Sequence, residues 1–191
     1  TVTVINVGPA ANDQVIRKAL AIGADDAIRV DGADDLDSFG VASNIAAVAK
    51  NGGYDIILLG KETISYNGSN IGGMLAELLD QPFVSLATKL EVSGNTATVS
   101  REIEGGKETL QVNTPFVLSA AKGMAEQRIP NMKGIMSAKS KPLNVVPAVS
   151  TPAYTTVVKY ELPPAKAAVK LVSPDNVEEL ITLLHNEAKA I

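Results

Sequence analysis

Short apolar runs alternate with amphipathic stretches over the first sixty residues. Residues 2–6 alternate β-branched side chains before the Gly8-Pro9 break, and residues 27–30 and 54–59 are further apolar runs. These patterns predict three strands. Helical spacing predicts helices up to Ile22 and over about residues 36–50. The buried face of the first helix is expected to carry Val15, Ile16, Ala19 and Leu20. This alternation predicts parallel strands with right-handed crossovers, hence an α/β fold whose sheet is covered on both faces.

Residues 55–79 combine a buried strand, a polar loop and an amphipathic helix that begins near Ser69 or Asn70. The first turn of a helix leaves backbone N–H groups unpaired, so a phosphate would fit there. The alternative is that the loop glycines only turn the chain or let the helix pack on the sheet. Spacing alone leaves both readings open, and there is neither a Walker A motif nor a spaced GxGxxG. Ligands of such sheets bind beyond the carboxyl ends of the strands, and this loop and residues 7–8 both lie at strand ends, which favours the phosphate reading.

The pattern changes after Phe83, where β-rich runs are separated by turn residues and predict added antiparallel strands. Residues 120–128 show no clear period and predict an exposed loop or short helix. Four prolines between residues 142 and 163 predict an extended arm. Ser173 and Pro174 then predict the start of a last helix, whose apolar stripe should dock against protein. We therefore divide the chain into a nucleotide-binding α/β domain, residues 1–142, and an arm with a terminal helix, residues 143–191.

Composition narrows the chemistry. The 191 residues carry a net charge of −4, 46% hydrophobic residues, one histidine and no cysteine. An acidic chain is not expected to bind nucleic acid, and no apolar run is long enough for membrane insertion. Neither a nucleophile–base pair nor a metal cluster is visible, so we expect no catalytic residues and no metal site. His185, the only histidine, is expected to have a surface or packing role. A redox role would need a bound cofactor.

The amino-acid sequences of several segments are specific enough to indicate a protein family. GKETISYNGSNIGGMLAELLDQPFVSLATKLEV resembles the signature region of the β subunit of electron-transfer flavoprotein, and VGPAANDQVIRKALAIGADDAIRV, SREIEGGKETLQV, TPFVLSAAKGMAEQR and IMSAKSKP follow the same family's order. The resemblance covers essentially the whole chain. It implies a Rossmann-like, adenine nucleotide α-hydrolase-like fold. It also implies an αβ heterodimer in which FAD is held mainly by the α subunit, while this chain buries AMP or a second FAD.

The resemblance also implies a set of cofactor-binding residues. They are the Val7 backbone and a loop with the first turns of its helix, namely Ser65, Tyr66, Asn67, Gly68, Ser69, Asn70, Ile71, Gly72, Gly73, Met74, Leu75 and Ala76. Residues 65–67 replace an acidic run that is usual in the family, and Asn70 replaces a common Gln. These changes remove carboxylates near the phosphate without supplying a cation, and AMP versus FAD stays open.

A partner-docking loop is implied at Met124, Ala125, Glu126 and Arg128, with Met124 as its exposed apolar anchor. Ala125 and Gln127 stand where the family has Asn and Pro. The alternative is that Met124 packs inward. The implied partners are the α subunit, on which the arm wraps, flavin-dependent dehydrogenases such as acyl-CoA dehydrogenase, and a quinone reductase. Electrons would pass from the dehydrogenases to this respiratory acceptor.

In the family, a strand, a helix and further segments precede the point at which this sequence starts. We expect either a truncated or partly represented chain or a natural short variant. Two other functions stay open: a stand-alone adenine-nucleotide-binding protein of the universal-stress type, and a structural subunit with a degenerate pocket. The expected location is the bacterial cytoplasm, or the mitochondrial matrix in a eukaryote.

Overall fold

The computed structural model describes residues 1–166 and 168–191, which form two compact units, Thr1–Val157 and Val158–Ile191. The elements of the first unit are β1 (Thr3–Gly8), α1 (Asp13–Ile22), β2 (Asp26–Asp31), α2 (Ser38–Ala49), β3 (Ile56–Gly60), α3 (Ile71–Leu79), β4 (Phe83–Ser93), β5 (Thr96–Ile103), β6 (Gly106–Asn113), β7 (Phe116–Ala120), α4 (Met132–Ala138) and β8 (Leu143–Pro147). The second unit contains α5 (Val177–Asn186). The predicted class, an α/β fold with a parallel sheet and added antiparallel strands, is confirmed.

The first sheet has the strand order β1-β2-β8, and all of its pairs are parallel. Helices α1 and α4 cover one face through a core that includes Ile16, Leu20 and Ala138. The prediction that Val15 lies on the buried face of α1 is wrong, because its side chain is 64% exposed. Only one side of α1 meets the sheet, and position 15 lies off that stripe.

The second sheet has the order β3-β7-β4-β5-β6. Strands β4, β5 and β6 are antiparallel, as predicted, whereas β7 lies parallel between β3 and β4. The expectation that β3 would pair in one sheet with the first two strands is wrong. Its hydrogen-bonded neighbour is β7, with Ile56 opposite Phe116. Helix α2 still joins the halves, since it contacts β1 and packs Ala42 and Ala46 against Leu75 of α3.

Residues 143–157 belong to the first unit, although we predicted an arm from residue 143. Strand β8 pairs with β2, and the chain after it is tied to α2. Val149 N–H donates to the buried Asn44 Oδ1 (2.8 Å), and the N–H groups of Tyr154 and Thr155 donate to Asp37 Oδ2 (2.7 and 3.1 Å). The second unit therefore starts at Val158 rather than at residue 143, where we predicted the start of the arm.

The second unit is largely exposed. Helix α5 begins at Val177, capped by Asn176 rather than by Ser173, because residues 173–176 form a separate turn. None of its residues is buried. His185 is exposed, with Nδ1 3.0 Å from the carbonyl oxygen of Ile191. In the part of the chain that the structure describes, no helix is both long and apolar enough to cross a membrane.

Candidate nucleotide site and docking surface

A buried arginine organises the carboxyl end of β1. The Arg29 side chain, 6% exposed, pairs with Asp13 (Nε–Oδ1 2.7 Å) and Asp31 (Nη1–Oδ1 2.5 Å) and donates to the carbonyl oxygen of Gly8 (3.0 Å). The hydrogen bond with Asp31 raises the pKa of Arg29, so the group is charged. It joins the end of β1, the start of α1 and the end of β2. This network fixes Val7 and Gly8 at the edge where the sequence predicts a ligand.

Residues 61–70 form an exposed loop between β3 and α3. Its left-handed positions are Asn67 (φ 49°) and Ser69 (φ 53°), not Gly68. A serine in the left-handed region has a conformational free energy about 1 kcal/mol higher than one in the favoured regions. Asn67 N–H donates to Thr63 O (2.9 Å), which closes one turn of the loop. The loop therefore has a defined conformation without relying on glycine.

A charge pair lies at the start of this loop. Lys61 Nζ is 2.7 Å from Glu62 Oε1, and Ser69 Oγ donates to Glu62 Oε2 (3.4 Å). The Lys61 ammonium lowers the pKa of Glu62 through its hydrogen bond and its charge. The loop thus has both a cation and a carboxylate, which sequence comparison missed because both residues precede the segment 65–67. A phosphate would compete with Glu62 for Ser69 and for Lys61.

The N-terminus of α3 is open. Asn70 at the N-cap makes no side-chain hydrogen bond to the helix, and in the described residues the N–H groups of Ile71, Gly72 and Gly73 have no acceptor. Three unpaired donors at the positive end of a helix dipole are an anion site in geometric terms. The side chains that flank them, at residues 65–70, are exposed.

The glycines of α3 have different surroundings. A Cβ on Gly72 would lie 2.8 and 2.9 Å from Cε2 and Cζ of Phe83, whereas one on Gly73 would lie 3.8 Å from that ring. Packing alone thus explains the glycine at position 72. Leu75 (0% exposed) and Ala76 (3%) are buried in the core, and Ile71 and Met74 pack against it. A ligand at residues 71–76 would therefore meet mainly backbone atoms, whereas the side chains of residues 65–70 are exposed.

Val7 lies at the end of β1, opposite Val30, and the loop 65–70 follows the end of β3. Both are at carboxyl ends of strands, as predicted, but the two strands belong to different sheets rather than to the single sheet that we expected. In the described part of the chain, no hydrogen bond links Val7 to that loop. Arg29 was missed by our sequence analysis, and the signal that could have found it is a charged residue inside the apolar run 27–30.

The docking segment differs from its expected arrangement. Met124 is half-buried and packs against the core around Phe116, so the inward alternative describes it and the exposed-anchor expectation does not. Ala125, Glu126 and Arg128 are exposed. Ile129 is 83% exposed and is the apolar side chain that the segment presents. A Cβ on Gly23 would lie 3.7 Å from Arg128 Nη1, which places the segment over the end of α1.

Within the described residues, no group of three or more His, Cys, Asp or Glu side chains could hold a metal ion. The sheet order, the crossover helices and the open N-terminus of α3 define a Rossmann-like α/β protein whose candidate ligand edge is built from backbone donors.

Comparisons with known proteins agree on one family. The electron transfer flavoprotein domain model matches residues 1–151. The chain is 34% identical to the electron transfer flavoprotein subunit beta of Bacillus subtilis over 205 residues, covering 100% of the chain and 79% of that protein. It is 36% identical to the Syntrophomonas wolfei subunit beta (87% and 66%) and 34% identical to the human one (96% and 74%). The chain belongs to the electron transfer flavoprotein family, as a beta subunit, and the resemblance seen in the sequence is confirmed.

Proposed function

We propose that this chain is the AMP-binding β subunit of a heterodimeric electron carrier, in which FAD is held mainly by the α subunit. Members of this family are carriers of electrons rather than enzymes in their own right, and flavin belongs to their complexes. When bound, FAD supplies the redox chemistry, and this chain supplies binding and orientation. The observation that carries the nucleotide proposal is the set of three unpaired N–H groups at the start of α3.

The residues present fit one phosphate. Donors on Ile71, Gly72 and Gly73 converge on a single helix N-terminus, and Ser69 offers a hydroxyl beside it. Lys61 supplies the positive charge that residues 65–67 lack. A second FAD, with two linked phosphates, is the alternative ligand, and its second phosphate would have to be placed with the Glu62 carboxylate nearby.

The α subunit is proposed to cover the second unit. Val158 and Leu162 are both 95% exposed, and the apolar stripe of α5 at Leu180 and Ile181 is about half exposed. A segment that exposes so many apolar side chains does not bury enough surface to order itself alone. A larger partner subunit would supply that surface. In the alternative function, a stand-alone adenine-nucleotide-binding protein, no partner would cover the apolar surface of the second unit.

Electron exchange is proposed with flavin-dependent dehydrogenases, such as acyl-CoA dehydrogenase, and with a quinone reductase. The docking segment retains Glu126 and Arg128 as exposed charges, with Ala125 between the half-buried Met124 and Glu126. Ile129 is exposed at its end and is the apolar contact that we propose in place of Met124. The proposed location stays that of the sequence analysis, the bacterial cytoplasm or the mitochondrial matrix.

A pair of variants at Gly73 tests the nucleotide site. In Gly73→Asp, a carboxylate placed in the first turn of α3 would occupy the helix donors and repel a phosphate, while favouring the helix itself. Gly73→Asn has nearly the same shape without the charge, and the site leaves ordinary contact distance for a Cβ. We expect the αβ complex of Gly73→Asp to lose most of its AMP, and that of Gly73→Asn to keep more, by mass spectrometry of heat-released nucleotide. Equal AMP content in both variants and the parent would contradict the site.

A further inference from the structure

A groove of about 600 Å³ lies between α1 and α4, away from the candidate nucleotide site. Four residues of one face of α1 form one wall, and α4 with the preceding proline forms the other. The lining residues are Gln14, Arg17, Lys18, Ala21, Pro130, Ile135, Ala138 and Lys139. Its middle is made by methyl and methylene groups, and its charged groups belong to the long side chains. This is an apolar groove with a polar rim.

The walls of the groove are fixed by hydrogen bonds from two half-buried cations. Arg17 Nη1 donates to the carbonyl oxygens of Ala138 (2.7 Å) and Lys141 (2.6 Å), and Lys141 Nζ donates to those of Leu20 (2.9 Å) and Ala24 (2.5 Å). Two helices that are cross-linked in this way hold their spacing. The groove therefore exists before any ligand binds, which lowers the entropy cost of binding.

The helices also approach closely because Gly134 has no side chain. A Cβ at this position would lie 2.3 Å from the carbonyl oxygen of Ala21. The two helices are therefore in close contact at Ala21, which is one of the lining residues of the groove.

The two helices that form the groove, and the residue just before its proline, also carry exposed apolar side chains. Val15 on α1 is 64% exposed, and Met132 and Met136 on α4 are 74% and 60% exposed. Ile129, at the end of the docking segment, is 83% exposed. Apolar groups grouped on two adjacent helices, with a groove between them, are typical of a protein-binding surface rather than of scattered surface residues. Methionine side chains adapt to different partners at such surfaces.

The charge of the groove indicates the partner. Three of its lining residues are cations and none is a carboxylate, although the whole chain carries a net charge of −4. Arg17 is engaged with backbone carbonyls, whereas Lys18 and Lys139 are exposed. An occupant that matches this surface has apolar residues for the middle and carboxylates for the rim.

We propose that the groove between α1 and α4 docks an amphipathic, acidic surface helix of a partner protein. Apolar residues at positions i, i+3 or i+4, and i+7 of that helix enter the groove, and Asp or Glu residues beside them face Lys18 and Lys139. This surface is separate from the nucleotide site. The proposal stands whether or not this chain holds AMP.

The test uses the full chain and two labelled synthetic peptides as probes. Both peptides carry leucines at the same helical spacing, but one has glutamates and the other lysines on the flanks. Fluorescence anisotropy measures the dissociation constants at low and moderate salt. The groove variants are Lys18→Glu with Lys139→Glu, and separately Ile135→Ser. Matched controls are Lys89→Glu with Lys107→Glu, and Ile103→Ser, all at exposed positions of the β4–β6 strands.

We expect the glutamate peptide to bind and the lysine peptide to bind at least about tenfold more weakly. The charge-reversed groove should lose about tenfold in affinity for the glutamate peptide and gain affinity for the lysine peptide, while the controls change by less than about twofold. Ile135→Ser should weaken both peptides. Failure of the glutamate peptide to bind, equal binding of the two peptides, or equal effects of groove and control variants would overturn the proposal.

A second copy of the chain is the competing occupant, since α5 also carries acidic residues beside an apolar stripe. Sedimentation velocity decides between them. We expect a mass that does not depend on the groove variants. A dimer of the parent chain that dissociates in Lys18→Glu with Lys139→Glu would assign the groove to self-association and overturn the partner proposal.

Discussion

Two neighbouring glycines in α3 give a sharp test of packing against ligand binding. Replacing glycine by alanine inside a helix stabilises it by up to about 1 kcal/mol. At Gly72 the new methyl group would lie 2.8 and 2.9 Å from the Phe83 ring, and such overpacking costs about 1–3 kcal/mol. At Gly73 the nearest ring atoms are 3.8 Å away. The free energy of unfolding of Gly72→Ala should therefore be lower than that of Gly73→Ala by about 1–3 kcal/mol.

Urea denaturation followed by circular dichroism measures this difference. With a slope of about 2 kcal/mol/M, the midpoints should differ by about 0.5–1.5 M. Phe83→Leu should lower the free energy of unfolding by less in the Gly72→Ala variant than in the parent, because it removes the ring that the new methyl group meets. If Gly72→Ala proves as stable as Gly73→Ala but loses nucleotide, the glycine serves the ligand and the packing argument is refuted.

Four further variants test the first unit and the docking segment. The pKa of Asp37 is lowered by hydrogen bonds from the backbone N–H of Gly40 first and then of Tyr154, so the stability it adds is complete above the unfolded-state pKa, about 3.9, and is lost as pH falls through the folded-state pKa. Asp37→Asn should flatten this acid-side loss, and an unchanged pH profile of thermal unfolding would argue against it. Asn44→Ala leaves the Val149 N–H unpaired and removes the second hydrogen bond to the Gly40 carbonyl, and should lower the unfolding free energy in urea by about 2 kcal/mol, whereas a change near zero would contradict the contact. Ile129→Ser should weaken dehydrogenase binding to the αβ complex in titration calorimetry without loss of stability, while Met124→Ser should lower stability by about 1–2 kcal/mol; the reverse pattern would restore Met124 as the anchor.

Local sequence patterns predicted most elements of the first unit. Helix α1 ends at Ile22 before Gly23, as the glycine signal indicates, and the hairpin of β5 and β6 turns at Gly105 (φ 84°). These features depend on a few neighbouring residues. The pairing of β3 with β7 joins residues 56 and 116, and no local period encodes such a partner. The pairing of β8 with β2 also has no local sequence signal, and this pairing is why residues 143–157 belong to the first unit.

The candidate site was predictable in position and less so in detail. A strand, a polar loop and a helix indicated where N–H groups would be open, and α3 has that form. Position 72 needs a glycine because the Phe83 ring packs against it. Phe83 is eleven residues away along the chain, and no sequence spacing indicates this contact. Burial of Met124 likewise depends on the distant Phe116 region. Tertiary packing, rather than propensity, decides which of these side chains are available.

The most direct test of the account is the nucleotide content of the complex. The chain is co-expressed with an α subunit of the family, the complex is purified, and heat-released small molecules are quantified by absorbance and mass spectrometry. We predict one FAD and one AMP per heterodimer. Two FAD would replace AMP by the alternative ligand, and an αβ complex without any adenine nucleotide beyond the α-bound FAD would contradict the proposed function of the α3 N-terminus.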